Sequence, residues 1–367
     1  DRLRSRGLGD VYKRQLENRS LKWETTDTKN IGFDFGLFGN HLNGNINYYI
    51  NETRDLLITR RIAPSAGLDN PTLNVGKMRN QGFELELNWN DKISDFEYNV
   101  GFNISTIANK VVALANEDQT IYGVGLKYGS EHFPTQTKVG KPIGAFYLYQ
   151  ADGIFQSLEE VQAHKNSKGE LLQPNAQPGD VRFKDMNGDG VIDEDDKTYS
   201  GTGIAKVEAN LNLGASYKGF DFSAVIGSAF GNKLYNGIRY YYEGMNSGSN
   251  FLKTTLNAWT PTNTKTDIPR AVFGDPNQNT RESTRFLENG DFVRLRQVQL
   301  GYTLPKALSK HIYCESIRFY VSAENVFTIT GYSGANPEFS QGVLNSGVDR
   351  FTYPFSRSYT VGAQVSF

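Results

Sequence analysis

The stretch Val207-Glu208-Ala209-Asn210-Leu211-Asn212-Leu213-Gly214-Ala215-Ser216-Tyr217 is followed by Lys218-Gly219 and a second run, Phe220–Ile226. Apolar and polar residues alternate through it without a slip. Successive side chains of a β-strand point to opposite faces, so a period of two sorts this segment into one greasy and one hydrophilic face. Two residues between the runs are the length of a tight hairpin. Outward from this point the same pattern recurs. Toward the N-terminus, Ile31, Phe33, Phe35 and Leu37 alternate with Gly32, Asp34 and Gly36. Leu42, Ile46, Tyr48 and Ile50 alternate with asparagines. Phe83, Leu85, Leu87 and Trp89 alternate with Glu84, Glu86, Asn88 and Asn90, and Phe96–Ile104 continues the pattern. Toward the C-terminus come Phe292–Tyr302, Ile317–Ala323 and finally Tyr359, Val361, Ala363, Val365 and Phe367.

The runs have the length of a tilted strand that crosses a bilayer. Their polar face is rich in Asn, Gly, Ser and Glu, which suits a wet interior. Strands in lipid need both edges paired, so the pattern predicts an all-β, antiparallel transmembrane β-barrel. Connections alternate in length. Phe38–His41, Asp91–Asp95 and Lys218–Gly219 are short and Leu304–Ser316 is intermediate. Arg60–Arg79, Ala108–Ser130, Gln156–Ala205, Gly231–Gly290 and Thr330–Arg357 are long. Short turns on one side and long loops on the other is the asymmetry of outer-membrane barrels. It puts Phe367 at the periplasmic end. Counting strands back predicts a further pair, Phe133–Val139 and Ala145–Phe155, for about eleven in all. Since bacterial barrels have an even number, this reads as part of a larger barrel.

Composition narrows the function. Among 367 residues, 39 Lys+Arg balance 40 Asp+Glu, so no basic face is available for nucleic acid. A single cysteine, Cys314, and four histidines rule out a disulfide framework and a Cys- or His-based metal centre. No apolar run is long enough for a transmembrane helix. Residues 1–15 are basic and unpatterned, and are read as an unrelated leader or an artefact; residues 16–367 form the patterned unit.

Leu21-Lys22-Trp23-Glu24, Asn80-Gln81-Gly82-Phe83-Glu84-Leu85, Gly140-Lys141-Pro142-Ile143-Gly144-Ala145-Phe146-Tyr147 and Ala151-Asp152-Gly153-Ile154-Phe155 follow one another in order. So do Pro178-Gly179-Asp180-Val181-Arg182-Phe183, Leu300-Gly301-Tyr302-Thr303-Leu304-Pro305, Ala323-Glu324-Asn325-Val326-Phe327 and Tyr353-Pro354 before a last strand ending in Phe367. This order and spacing resembles SusC/RagA-type TonB-linked (TonB-dependent) outer-membrane transporters over residues 16–367. The resemblance implies a 22-stranded barrel with a plugged lumen in the outer membrane of a Gram-negative bacterium. It implies TonB-energised import of oligosaccharides or peptides under a SusD-like lipoprotein lid. Against that plan the chain is expected to be the C-terminal barrel portion alone, lacking the plug and the TonB-contacting segment. The C-terminal alternation ending in Phe367 resembles the signal read by the barrel-assembly machinery; otherwise Phe367 is a last apolar strand residue.

The sharpest local motif is Asp185-Met186-Asn187-Gly188-Asp189-Gly190-Val191-Ile192-Asp193-Glu194-Asp195-Asp196. It fits the twelve-residue Ca²⁺ loop, with oxygen donors at loop positions 1, 3, 5, 7, 9 and 12. Asp185, Asn187, Asp189, Asp193 and Asp196 would give side-chain oxygens and Val191 its carbonyl. Gly190 supplies the sharp turn, and Ile192 an apolar anchor. The expected role is a structural Ca²⁺ that pins a long loop; the alternative is a solvated acidic turn. Tyr240, Tyr241 and Tyr242, with Trp259, are candidate stacking surfaces for a solute or a lid, or else loop-core residues. Arg294 and Arg296 share one face, after which the apolar phase returns on Val298, Leu300 and Tyr302. That switch predicts a β-bulge or a strand segment rising above the membrane, with the arginines steering an anionic solute or, in preference, paired to carboxylates such as Glu84 or Glu86. No catalytic motif is present, and Cys314 near His311 reads as a turn residue. Two other readings stay open: a secreted, calcium-stabilised β-sandwich that binds glycans, and a glycan hydrolase, for which no carboxylate pair can be placed.

Overall fold

The computed structural model describes residues 18, 21–59, 65, 67–69, 71–115, 120–128, 130–246, 248, 250–311, 313–339 and 341–367. Residues 1–15, read above as a leader, lie outside the described residues. Nine long strands form one antiparallel meander: β1 (Thr25–Leu37), β2 (Leu42–Arg54), β3 (Gly76–Ile93), β4 (Phe96–Thr106), β5 (Val207–Tyr217), β6 (Phe220–Phe230), β7 (Phe292–Thr303), β8 (Ser316–Thr330) and β9 (Ser358–Ser366). Each pairs with the next, and a short strand, Ala108–Leu114, adds to the outer end of β3. The sheet is not closed; β1 and β9 are its edges.

Apart from one shift at β7, described below, the register runs continuously across the sheet and explains the alternation. Leu37, Leu42, Trp89, Val100, Leu213, Ala224, Val298, Ala323 and Tyr359 are successive partners on all nine strands. On the other face the partners are Asp34, Asn45, Glu86, Asn103, Asn210, Gly227, Arg294 and Thr328. The polar row is knitted sideways: Asn45 donates to Glu86 at 3.1 Å and Asn210 to Asn103 at 2.9 Å. Among the described residues no second layer packs over the apolar face. Ile31 is 74% exposed, Phe33 66% and Val361 84%.

The hairpin ends follow local chemistry. Lys218 and Gly219 both have positive φ (46° and 88°), the backbone of a type I′ turn whose twist matches the strands it joins. Phe38–His41, Ser94–Asp95, Lys218–Gly219 and Leu304–Glu315 all lie at one end of the sheet. The connections 55–75, 107–206, 231–291 and 331–357 lie at the other. β9 therefore runs toward the short-turn end, and Phe367 stands there, as the alternation of loop lengths predicts.

One expectation is corrected. Phe133–Val139 and Ala145–Phe155 are not barrel strands. Thr135–Thr137 pairs with Ala145–Leu148, and both belong to a separate four-stranded sheet with Ile121–Tyr122 and Thr198–Thr202. β4 pairs directly with β5, so Ala108–Ser130 and Gln156–Ala205 are parts of a single outer connection. The meander has nine strands rather than eleven. A bulge is present: the register shifts between Leu295 and Gln297, leaving Arg296 as the extra residue against β6, while Asn325 and Val326 both lie opposite it on β8.

The packed core does not lie in the meander. Leu126, Phe146 and Leu148 from 107–206, Tyr235, Tyr240 and Phe286 from 231–291, and Val348 from 331–357 make one fully buried cluster. A second joins Ile58 and Val75 to Val111, Leu114, Ile121 and Ile143. The long connections are thus a folded outer layer with its own hydrophobic interior.

Candidate functional site

The acidic loop is built on the outer layer. Val181–Phe183 pairs with Ala151–Ile154, and a 3-10 turn, Glu194–Asp196, closes the far side. Between them, each candidate ligand turns back on the loop's own amides. Asp185 accepts from Gly188 N–H at 2.6 Å and Gly190 N–H at 2.9 Å. Asn187 accepts from Asp189 at 2.8 Å, Asp189 from Val191 at 2.9 Å and Asp193 from Asp195 at 2.9 Å. Asp196, fully buried, accepts from Met186 at 2.6 Å and Asp193 at 2.8 Å. Gly190 has φ +91°, which the turn requires and which a β-carbon would strain. Ile192 packs on Tyr149, Val181 and Phe183, anchoring the loop. As the loop stands, no group of three His, Cys, Asp or Glu side chains among the described residues is gathered closely enough to hold a metal ion.

The aromatic candidates do not present open ring faces together. Tyr240 is fully buried, its hydroxyl 3.0 Å from His132 Nδ1, with Phe286 and Tyr235 rings beside it. Tyr241 and Tyr242 pack against Phe351. Trp259 is 8% exposed and donates from Nε1 to Gln156 at 2.9 Å. Tyr240 and Trp259 therefore serve as core of the outer layer, and a stacking role for them is set aside. Cys314 is buried at the intermediate turn, its N–H donating to Ser309.

Arg294 and Arg296 do share the polar face, but their carboxylate is Glu338, not Glu84 or Glu86. Arg294 donates to Glu338 at 2.9 Å, Asn336 at 2.6 Å and Thr328 at 2.9 Å; Arg296 reaches Glu338 at 3.1 Å. Glu338 comes from the last outer connection, so this contact ties that loop to the mouth of the meander. Gly227 is required here, because a β-carbon would lie 2.1 Å from Arg296 Nε.

Several buried charges escaped the sequence reading because no periodicity marks them. Arg239 pairs with Glu243, Asp267 and Glu288, and Arg285 with Glu243 at 2.9 Å. Burial pulls the Arg285 guanidinium down to about 10, against the opposing pull of Glu243. Asp180, fully buried, holds Arg270 at 2.8 Å. The one available signal was Pro178-Gly179-Asp180: Gly179 has φ +93° and lies against Trp259, and Asp180 immediately precedes the strand Val181–Phe183. Lys197 bridges Glu194 and Glu282, each at 2.5 Å. Burial disfavours its charge, but the two glutamates outweigh that and hold the ammonium above its ordinary range. Beside it lies a cavity of about 460 Å³ walled by Tyr122, Phe133, Tyr149, Arg281 and Glu282.

Comparison with known families agrees with this all-β architecture. Residues 4–326 match the family described as TonB dependent receptor-like, beta-barrel. The chain belongs to this family. Members are outer-membrane proteins of Gram-negative bacteria, receptors and transporters rather than enzymes. TonB-dependent receptor P3 of Formosa agariphila is 31% identical over 98% of this chain and 36% of its own length. TonB-dependent receptor SusC of Bacteroides thetaiotaomicron is 27% identical over 98% and 34%. Among solved structures, the RagAB peptide transporter superposes with a TM-score of 0.75 at 26% identity, covering 96% of this chain and 36% of that one. The chain thus spans about a third of the length of the TonB-dependent relatives it matches.

Proposed function

We propose that this chain supplies part of the barrel wall and the outer loop layer of a TonB-energised importer in a Gram-negative outer membrane. The observation that carries the reading is the nine-strand register. It aligns an apolar row on which no described residue packs a second layer against a polar row already linked by its own hydrogen bonds. Lipid satisfies the first and a water-filled lumen the second. Edges β1 and β9 would pair with strands outside this chain, where a plug and a TonB-contacting segment would also lie. The likeness to SusC and RagAB supports a SusD-like lipoprotein seated on the outer layer and an oligosaccharide or peptide as cargo. Quenchers in the acyl chains are expected to reach labels at Leu85, Leu211 and Val361 and not at Asn45, Asn103 or Asn210. Protection of the first three from lipid quenchers would point to a second protein layer, and hence to the sandwich.

The loop Asp185–Asp196 is proposed as a structural Ca²⁺ site. Its donors are all oxygens, which suits a hard cation, and its amide-to-carboxylate turns already hold the chain in a tight coil. Rotation of Asp185, Asn187, Asp189 and Asp193 away from these amides would release oxygens toward the ion. Asp196 would remain the buried closing carboxylate. Exchanging Asp185 and Asp189 for alanine together is expected to abolish Ca²⁺ uptake in a calorimetric titration of the intact protein. Identical heats for parent and variant would return the loop to an ordinary acidic turn.

A further inference from the structure

Among the described residues, the most deeply placed cations of the outer layer face carboxylates. Lys197 faces Glu194 and Glu282, Arg239 faces Glu243, Arg285 the same Glu243, and Arg270 faces Asp180. Arg281 is half-buried, yet among the described residues no carboxylate lies within ion-pair distance of it. Its guanidinium lies over the rings of Phe183, at 4.6 Å, and Tyr149, at 4.9 Å. Its hydrogen bonds go to neutral oxygens of Gln278, the shorter being 3.0 Å. Burial pulls its pKa down, so the site holds a charge at a cost. Ring stacking orients a guanidinium but leaves its planar N–H edge free for a carboxylate. Nε and Nη2 donate to Gln278, so the edge left for a carboxylate is the one that includes Nη1, and Arg281 lines the cavity of about 460 Å³. The glutamates nearby are already engaged: Glu282 by Lys197 and His132, and Glu194 by Lys197 and the Tyr149 hydroxyl.

We infer that this cavity is a subsite for a carboxylate group on the imported solute, with Arg281 as its counter-ion. A carboxylate fits because it accepts two parallel N–H bonds from a guanidinium edge, and a neutral group does not. The aromatic walls Tyr122, Phe133 and Tyr149 suit the apolar or ring portion next to that carboxylate. Two kinds of solute carry such a group, a peptide with a free C-terminus and an oligosaccharide containing a sugar acid. The inference rests on the importer reading and narrows its cargo to acidic solutes.

The test uses the full-length protein that carries this chain, in detergent, and four probes. These are a tripeptide with a free carboxyl end, its C-terminal amide, a trigalacturonate and its methyl ester. The parent is expected to bind one acidic probe roughly tenfold more tightly than its neutral twin. The pair that shows the difference identifies the source of the carboxylate. Arg281→Gln should erase the difference and leave the neutral probe's affinity unchanged, while Arg281→Lys should keep part of it. If Arg281→Gln does not fold, as judged by heat-modifiable migration, the lysine variant decides: undiminished discrimination there overturns the inference. So does a parent that discriminates in neither pair, or a glutamine variant that still discriminates. A difference seen only with an acidic partner protein bound would assign Arg281 to an interface and overturn the solute assignment. TonB-energised uptake of either member of a probe pair by cells that carry the full-length protein separates this inference from the importer reading. Its loss strikes the latter; intact uptake without discrimination strikes only the subsite.

Discussion

Replacing Leu211 by arginine is expected to cost about 2–4 kcal/mol of barrel stability, the range for a cation on the lipid face near mid-bilayer. Leu211 sits at the centre of β5, with Phe102 on one side and Ile226 on the other. The row continues to Leu87, Leu295 and Phe327. Every partner in this row is apolar, so the charge must stay in hydrocarbon or drag water in with it. Arginine one residue earlier, at Asn210, faces the hydrophilic row of Asn103, Glu86 and Asn45 and should cost much less. Urea titration of the full-length protein in lipid vesicles, followed by heat-modifiable migration, measures both. Equal losses at the two positions would remove the distinction between the faces, and with it the membrane placement.

Phe286→Ala should produce the other large effect, about 3–5 kcal/mol, from a cavity left in a core that cannot collapse around it. Phe286 is fully buried, with Tyr240 at 5.6 Å, Tyr235 at 5.9 Å and the Arg285 guanidinium at 4.7 Å from its ring. These neighbours come from the outer layer and not from the strands of the meander. The damage should therefore appear as faster proteolysis within 107–206 and 231–291, with heat-modifiable migration of the barrel unchanged. This is local unfolding of one cooperative unit while another stands. Simultaneous loss of both signals would mean that the layer and the sheet fold as one.

The two kinds of region were unequally legible. In the meander, alternation was enough to assign faces, since a period of two is imposed by the strand itself and by two different solvents on its two sides. Even the bulge at Arg296 showed, as a switch of apolar phase between Leu295 and Val298. In the outer layer both sides of a segment meet protein, and no period survives. Thr135–Thr137 and Ala145–Leu148 therefore passed for barrel strands although they belong to a small sheet packed among loops. The loop-length argument could not catch this, because inserting or removing two strands leaves every later strand's direction unchanged.

The acidic loop was readable in full as a motif, because turn glycines and oxygen donors at fixed offsets are local properties. What its carboxylates do to one another was not readable, since that depends on which amides they find. Arg281 is the extreme case. Nothing adjacent in sequence separates it from Arg285, four residues on, yet one meets Glu243 and the other meets two rings and a cavity. Strand faces, hairpin turns and chain direction at the membrane were thus determined by the sequence alone, because each is set by neighbours one or two residues away. Which connections share a core, which arginine finds a carboxylate and which is left to wait for one were decided only by the tertiary structure. Those outcomes depend on contacts between segments from 42 residues apart, as for Arg285 and Glu243, to well over a hundred, and no local pattern encodes such contacts.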